Sequence, residues 1–517
     1  MVKVEKKSAV VFLKNIVRSK WFYYCLVLVI VNILTAKWAV TKNDSSGMKF
    51  IVPVQLAVEL GLAVAYYLVK KKKMPVEKVF LLLVIPFGLL FIALLPCGQT
   101  PDEAAHYMRT YGITKGELIV PQTETNNGGS ELPSALSEVF YSSIRKGIYG
   151  EIAEDMSFGT DGDVREYNYA PAALYNPIVY LPQTMGVLLG KLFHAPLVIG
   201  VYLGRLFDFV VFVLLIYYAI KYAPKFKNFI LFMALFPVTL QEATSLSPDA
   251  LTIGLSVFLI SFVCYLAYGK KGKMNRKELS VLYVLAIIIG FCKIVYLPLL
   301  LLYFLIPTER FGGVKQRRLH AAIMCGIVFL LNAGWLLIST RYLVAVRAGV
   351  NPGEQVKYMM SHPHYFLTSL LATMSARLDY WSSTMFGMSL GHYEIYLPQI
   401  YYYLYLVIFL LSLVQNSERF VIKKSDKWII ISVCIIVYCL IATSLYLQWT
   451  PVGDYYIDGI QGRYFLPILL LLPLAFCPTK EAKKPKPSFN IVKQELIVYS
   501  GIFCNVAALT CIFVANF

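Results

Sequence analysis

Apolar residues in this chain run in blocks of about 14 to 25, separated by short basic loops, with no sustained alternation that would mark strands. A helix needs about 20 residues to cross the hydrocarbon of a bilayer, so blocks of this length predict membrane spans. About 13 are expected, near 21–40, 50–69, 79–96, 197–220, 229–247, 250–268, 279–292, 294–306, 319–340, 396–414, 428–447, 465–477 and 494–515. Residues 174–193 are apolar enough for another. Counting them would carry Lys221, Lys225 and Lys227 to the opposite face, so they are expected to lie along the membrane as a juxtamembrane helix broken by Pro177 and Pro182. The fold class is therefore an all-α polytopic membrane protein.

Charge sets the orientation. With a cytoplasmic N-terminus, the inside segments 1–20, 70–78, 221–228, 269–278, 307–320, 415–427 and 478–494 hold 32 of the 48 Lys and Arg. The opposite orientation would place all of these outside, against the positive-inside rule. The net charge of +18 thus belongs to loops facing the cytoplasm and gives no reason to expect nucleic acid. The outside loop 97–172 is acidic, with 12 Asp and Glu against 5 Lys and Arg, and a second long segment covers 341–395. Loops this long are usually functional. Composition agrees with the pattern: 58% of the 517 residues are apolar and 15% charged, which excludes soluble, fibrous and disordered classes. The ten cysteines are scattered without a CxxC pair and read as small buried apolar residues. Trp21 to Val40 reads as a retained span, since no small-residue cleavage site follows it.

Candidate chemistry gathers at the outer helix ends. In Thr100-Pro101-Asp102-Glu103, Thr100 and Glu103 fit a capping box with Pro101 at the first helical position. Capping leaves His106 unexplained, four residues after Asp102 on the same face, with Arg109 a turn further. Ser247-Pro248-Asp249 starts the next candidate helix, and Glu242 lies about a turn inside the preceding span, where an ionisable group is costly and usually faces a polar cavity. Gly459-Ile460-Gln461-Gly462-Arg463-Tyr464 opens a third, its glycines letting backbone approach a ligand closely and Arg463 offering a planar fork suited to phosphate. Lys293 falls between two apolar runs, and Arg205 lies inside a span with Asp208 three residues on as a plain partner.

These motifs in order, Pro-Asp-Glu-x-x-His (101–106), Asn-Tyr-x-Pro (168–171) followed by Tyr175 and Pro177, Ser-x-Ser-Pro-Asp-Ala-Leu-Thr (245–252), Lys-x-Val-Tyr-Leu-Pro (293–298) and Gln-Gly-Arg-Tyr-Phe-Leu-Pro (461–467), resemble the bacterial membrane proteins grouped as domain of unknown function 2142. The resemblance covers about residues 80 to 477, with Ala104 where Pro is common and Gly391-His392-Tyr393 where Gly-Trp is expected. That family is similar to the glycosyltransferase C (GT-C) superfamily. The resemblance implies a GT-C-like core with juxtamembrane helices, a catalytic carboxylate in the first large external loop and a polyprenyl-phosphate-linked sugar as donor. The expected organisation is an N-terminal helix pair (1–78), a core (79–310) with the external catalytic loop 97–196, C-terminal helices (311–477) with loop 341–395, and a basic loop with the last helix (478–517).

The resulting expectation is a glycosyltransferase of the bacterial cytoplasmic membrane, inverting, with its active site outside. It would pass a sugar to a cell-envelope polysaccharide or lipid-linked acceptor. Asp102 is the expected general base and Glu103 its alternate; His106, Arg109, Lys293, Arg463, Tyr464 and Gln461 would bind the donor phosphate, and Asp249 and Glu242 would orient sugar or acceptor. No cofactor is required by this reading, although a divalent metal on Asp102, His106 and Asp249 is a candidate. The rival classes are a transporter or flippase for lipid-linked glycans, which usually shows repeats and midplane charges, and a glycan polymerase or ligase.

Overall fold

The computed structural model describes residues 19–43, 48–122, 127–140, 156, 159, 162–343, 347–415, 420–480 and 492–516. Most of the basic segments at 1–20 and 478–494, and 141–155 of the acidic loop, lie outside the described residues. The helices are, in order, α1 (Lys20–Lys42), α2 (Met48–Lys71), α3 (Val76–Leu94), α4 (Glu103–Thr114), α5 (Leu181–Leu192), α6 (Leu197–Tyr222), α7 (Lys227–Ala234), α8 (Pro237–Ala243), α9 (Pro248–Cys264), α10 (Arg276–Phe291), α11 (Val314–Ser339), α12 (Pro352–Ser361), α13 (Pro363–Phe386), α14 (Gln399–Val414), α15 (Lys424–Gln448) and α16 (Gln494–Asn516). Besides short helical turns, there are two antiparallel strand pairs: β1 (Gly129–Pro133) with β2 (Val164–Asn168), and β3 (Ser389–Leu390) with β4 (Ile395–Tyr396).

Among the described residues, eight helices are long and apolar enough to cross a membrane: α1, α2, α3, α6, α9 with its continuation to Gly269, α11 with its continuation to Tyr342, α15 and α16. Thirteen are expected from the sequence, and eight of them reach this length. The other five apolar blocks are helical but short or interrupted, and proline accounts for much of it. Pro237 splits the 229–247 block into α7 and α8, because a proline cannot supply the backbone donor that a continuing helix needs. Ile294–Leu305 and Gly462–Ile468 wind as 3-10 helices around Pro298 and Pro467. At about 2 Å of rise per residue, the 12 residues of Ile294–Leu305 still reach about 24 Å, most of a hydrocarbon core. The remaining two, α10 and α14, have 16 residues each.

Helices α9 and α16 are surrounded by protein, whereas α11 presents most of its apolar surface outward, as a helix facing lipid tails does. At the end of the bundle that carries α4, the segment 97–196 builds a second small core from Tyr107, Tyr111, Leu132, Tyr167, Tyr169 and Val187. The 174–193 segment forms a 3-10 turn at Pro177–Tyr180 and then α5, with Pro182 in its first turn, where the missing N–H costs nothing. One face of α5 lies against α6, where a side chain on Gly186 would meet Leu203 O at 2.4 Å. Its other face exposes Leu181, Met185, Leu188 and Leu192, the amphipathic pattern of a helix lying along a membrane.

Candidate functional site

The Thr100 capping box does not form. The helix opens two residues later, with Asp102 as its N-cap in a left-handed backbone conformation (φ 65°) and no side-chain cap bond, while Thr100 Oγ1 is buried without a partner among the described residues. A non-glycine residue held there is strained, and such residues concentrate at functional sites. What holds it is the next residue. Glu103 is fully buried, pairs through both oxygens with Arg205 (2.7 Å to Nε, 2.6 Å to Nη2), and accepts the backbone N–H groups of Gly98 (2.9 Å) and Leu246 (3.1 Å). Arg205 also donates to the carbonyls of Leu95 (2.6 Å) and Pro96 (2.9 Å) at the end of α3. One buried ion pair therefore ties α3, α6, the Asp102 turn and the Ser247-Pro248-Asp249 turn together. Glu103 is fully committed and is not free to act as a base. Nor does Arg205 pair with Asp208, which faces the backbone of Ser247 and Gln183.

With its neighbour fixed, Asp102 turns its carboxyl outward, with 66% of the side chain exposed. Arg463 stands behind it: Nη2 lies 3.2 Å from Asp102 Oδ2, and Nη1 lies 3.1 Å from Glu242 Oε2. The motif glycine Gly462 serves that placement and not contact with a ligand. A side chain there would meet Trp381 O at 2.1 Å, so only glycine lets the Arg463 backbone press against α13, where Gly462 N–H donates to Thr384 Oγ1 (3.1 Å). Lys293 Nζ pairs with Asp249 Oδ1 at 2.6 Å and lies 5.1 Å from the Tyr464 ring centre, which also has the Arg463 guanidinium at 5.5 Å. Partial desolvation by the surrounding protein would raise the Asp102 carboxyl, but Arg463 beside it outweighs this and holds it below the usual carboxylate range. His106 is different: burial pushes its imidazole down to about 4, against the pull of Asp102 and Asp249. It is neutral at physiological pH and cannot supply charge to a phosphate.

Asp102, His106, Lys293, Tyr175 and Tyr464 meet at one end of a cavity of about 540 Å³. From there the cavity runs between α10, the Ile294–Leu305 helix, α11 and α15, along Phe291, Ile294, Trp335, Leu336, Ile441, Leu445 and Trp449. It is a charged head with an apolar flank. Glu242 and Asp249 stand behind this lining, held by Arg463 and Lys293. Gln461 and Arg109 do not line it. The Arg109 guanidinium is spent on the carbonyls of Glu117 and Leu118, both at 2.7 Å, so its expected place in donor binding is corrected to holding the 97–196 segment. Among the described residues, no three His, Cys, Asp or Glu side chains gather as a metal site. With Asp102 and Asp249 each paired to a cation, these residues do not fit a divalent ion.

Two residues of the second long segment, Gly391 and His392, bond to the elements that carry the site. Gly391 N–H donates to Gln241 Oε1 (2.7 Å), and His392 Nε2 donates to Gly98 O (3.0 Å), four residues before Asp102. Sequence reasoning did not single out Tyr180, Trp335 or Trp449. Arg205 was noticed, but its true partner lies 102 residues away. The buried charge itself was the available signal, since a cation inside a span requires a partner.

No curated protein and no solved structure matches this chain. The model of a family described as predicted membrane protein (DUF2142) matches residues 85–472, which leaves out α1, α2 and α16. That match takes in all five motifs and both ends of the cavity, and the chain belongs to this family of membrane proteins.

Proposed function

We propose that the protein is a membrane glycosyltransferase that moves a sugar from a polyprenyl-phosphate donor to a cell-envelope glycan or lipid-linked acceptor. The observation that carries this reading is the continuity of the cavity, from a head lined by Asp102 and Lys293 to an apolar flank between α11 and α15. A lipid-linked phosphate is the ligand whose two halves match those two environments. The five ordered motifs, resembling a family similar to the GT-C superfamily, support the same class. The concentration of Lys and Arg in the opposite loops supports an N-terminus in the cytoplasm and a site on the outer face of a bacterial cytoplasmic membrane.

In this mechanism the acceptor hydroxyl attacks the anomeric carbon on the side opposite the phosphate. The new C–O bond forms as the bond to the phosphate oxygen breaks, and inversion results. The hydroxyl proton passes to Asp102, which is ionised across the physiological range because Arg463 stabilises its charge. Such positioned proton transfer contributes about 10²–10⁴-fold. The electron pair leaves with the lipid phosphate, and Lys293, the cation that lines the cavity, stabilises it. Asp249 orients Lys293, and Glu242 orients Arg463.

The test is transfer of radiolabelled sugar by purified protein from a panel of polyprenyl-phosphate donors to membrane glycan acceptors, with Asp102→Asn alongside. Transfer that Asp102→Asn abolishes without loss of folding is the expected result. No transfer from any donor, together with movement of lipid-linked glycan across liposome membranes that is indifferent to Asp102, would replace the enzyme with a flippase.

A further inference from the structure

Tyr180 is fully buried and has a single proton to give. Its hydroxyl lies 3.0 Å from Ala172 O and 2.9 Å from His106 Nδ1. The carbonyl can only accept, so the Tyr180 proton goes to Ala172 O. The contact with His106 then requires the imidazole to donate from Nδ1 to the tyrosine oxygen. A neutral ring with its proton on Nδ1 has its lone pair on Nε2, and among the described residues nothing bonds to that atom. His106 lines the charged end of the cavity beside Asp102 and Tyr175, the latter edge-on with ring centres 5.6 Å apart.

We infer that Tyr180 holds His106 as the neutral Nδ1–H tautomer, and that His106 Nε2 accepts a hydrogen bond from a sugar hydroxyl in the cavity. Tyr180 is the positioning residue and His106 the binding one. The groups facing His106 are Asp102 and Asp249, which favour its protonation, and Lys293 and Arg463, which oppose it; burial decides for the neutral ring. A neutral acceptor two ring atoms from a fixed donor distinguishes a sugar hydroxyl from a dianionic lipid phosphate, which has no proton to offer. The site thereby separates the sugar-bearing donor from the lipid phosphate left after transfer. The hydroxyl contact rests on the glycosyltransferase reading; the tautomer does not.

The test uses the full chain in nanodiscs with nitrogen-15 histidine, and His106→Gln as the blank that isolates one imidazole among six. A protonated Nδ1 and a bare Nε2 are expected from neutral pH into the mildly acidic range, and Tyr180→Phe is expected to populate the other tautomer. An imidazolium or an Nε2–H ring in the wild type overturns the inference, and an unchanged ring in Tyr180→Phe removes Tyr180 from it. Should Tyr180→Phe not fold, the wild-type spectrum still decides. A short-chain prenyl phosphate-hexose and the same prenyl phosphate without sugar are then added, with binding followed by tryptophan fluorescence. The Nε2 resonance is expected to move with the sugar-bearing lipid only. Binding of that lipid without movement overturns the hydroxyl contact and leaves the proposed function intact. Binding of neither lipid overturns the proposed function and the contact together, while the tautomer measurement stands alone.

Discussion

Two of the polar centres among the described residues are built on opposite plans. Around Asp102, carboxyls and cations alternate from Glu242 through Arg463 to Asp102, with Asp249–Lys293 alongside, and the array opens onto a cavity. Between α1, α2, α14 and α16, one carboxyl sits among amides and hydroxyls. Glu59 Oε1 accepts from Asn32 Nδ2 (2.6 Å) and Gln55 Nε2 (3.1 Å); Asn32 also donates to Phe503 O (2.9 Å) and accepts from the Tyr401 hydroxyl. Among the described residues no cation pairs with Glu59. The second centre directs its bonds between its own helices, leaving Glu59 Oε2 buried without a partner among the described residues, and joins helices, as polar side chains do within membranes. The first keeps Asp102 turned outward, so its unspent interactions are available to a ligand. Three of the four helices of the second centre also lie outside the family match, whereas every residue of the first lies within it.

The comparison breaks hardest at the Glu103–Arg205 pair, which belongs to the first centre yet faces no cavity. Arg205→Ala leaves the fully buried Glu103 charge uncompensated, at a cost of about 3–5 kcal/mol, and thermal unfolding in detergent should show a large loss of stability. Asp102→Asn is the opposite case. Its side chain is mostly exposed and caps nothing, so the melting temperature should hold while transfer falls by about 10²–10⁴-fold. If both variants unfold alike, the division between a structural pair and a working carboxylate is wrong.

A subtler test lies in the acid limb of the transfer rate. The folded Asp102 carboxyl is depressed, so its ionised form persists as pH falls, until the pH passes below the usual carboxylate range. Removing the guanidinium with Arg463→Gln takes away the largest effect that opposes desolvation, and the limb should move to higher pH. A limb that stays in place would mean that another group carries the proton.

The bundle was legible because membrane spans are written in composition: each of the eight long helices coincides with an apolar block, and the positions of Asp102 and Arg463 at helix ends follow from the same reading. What was not legible depends on contacts between distant segments. Thr100-x-x-Glu103 is a valid capping pattern, but a buried Arg205 competes for the same carboxylate and wins, because an unpaired guanidinium within the membrane costs more than an uncapped helix end. Arg109 likewise shares a face with Asp102 in the pattern, and nothing local reveals that the Glu117 and Leu118 carbonyls fold back onto it. Proline marks where the short spans stop, but not that two of them continue as 3-10 helices.

The smallest effect is expected in the second centre. Tyr401→Phe removes the hydroxyl that lies against Asn32 and 3.0 Å from Thr35 Oγ1, and keeps the ring. Interhelical hydrogen bonds in membranes average about 0.6 kcal/mol in double-mutant cycles, because the separated helices also find partners for their polar groups. Unfolding of Tyr401→Phe, Asn32→Leu and the double variant should therefore give a coupling near that value, and transfer activity should be unchanged in Tyr401→Phe. A coupling several times larger, or a loss of transfer with stability preserved, would show that the amide network does more than fasten α1 and α2 to the core, and the contrast between the two centres would fail at its weaker side.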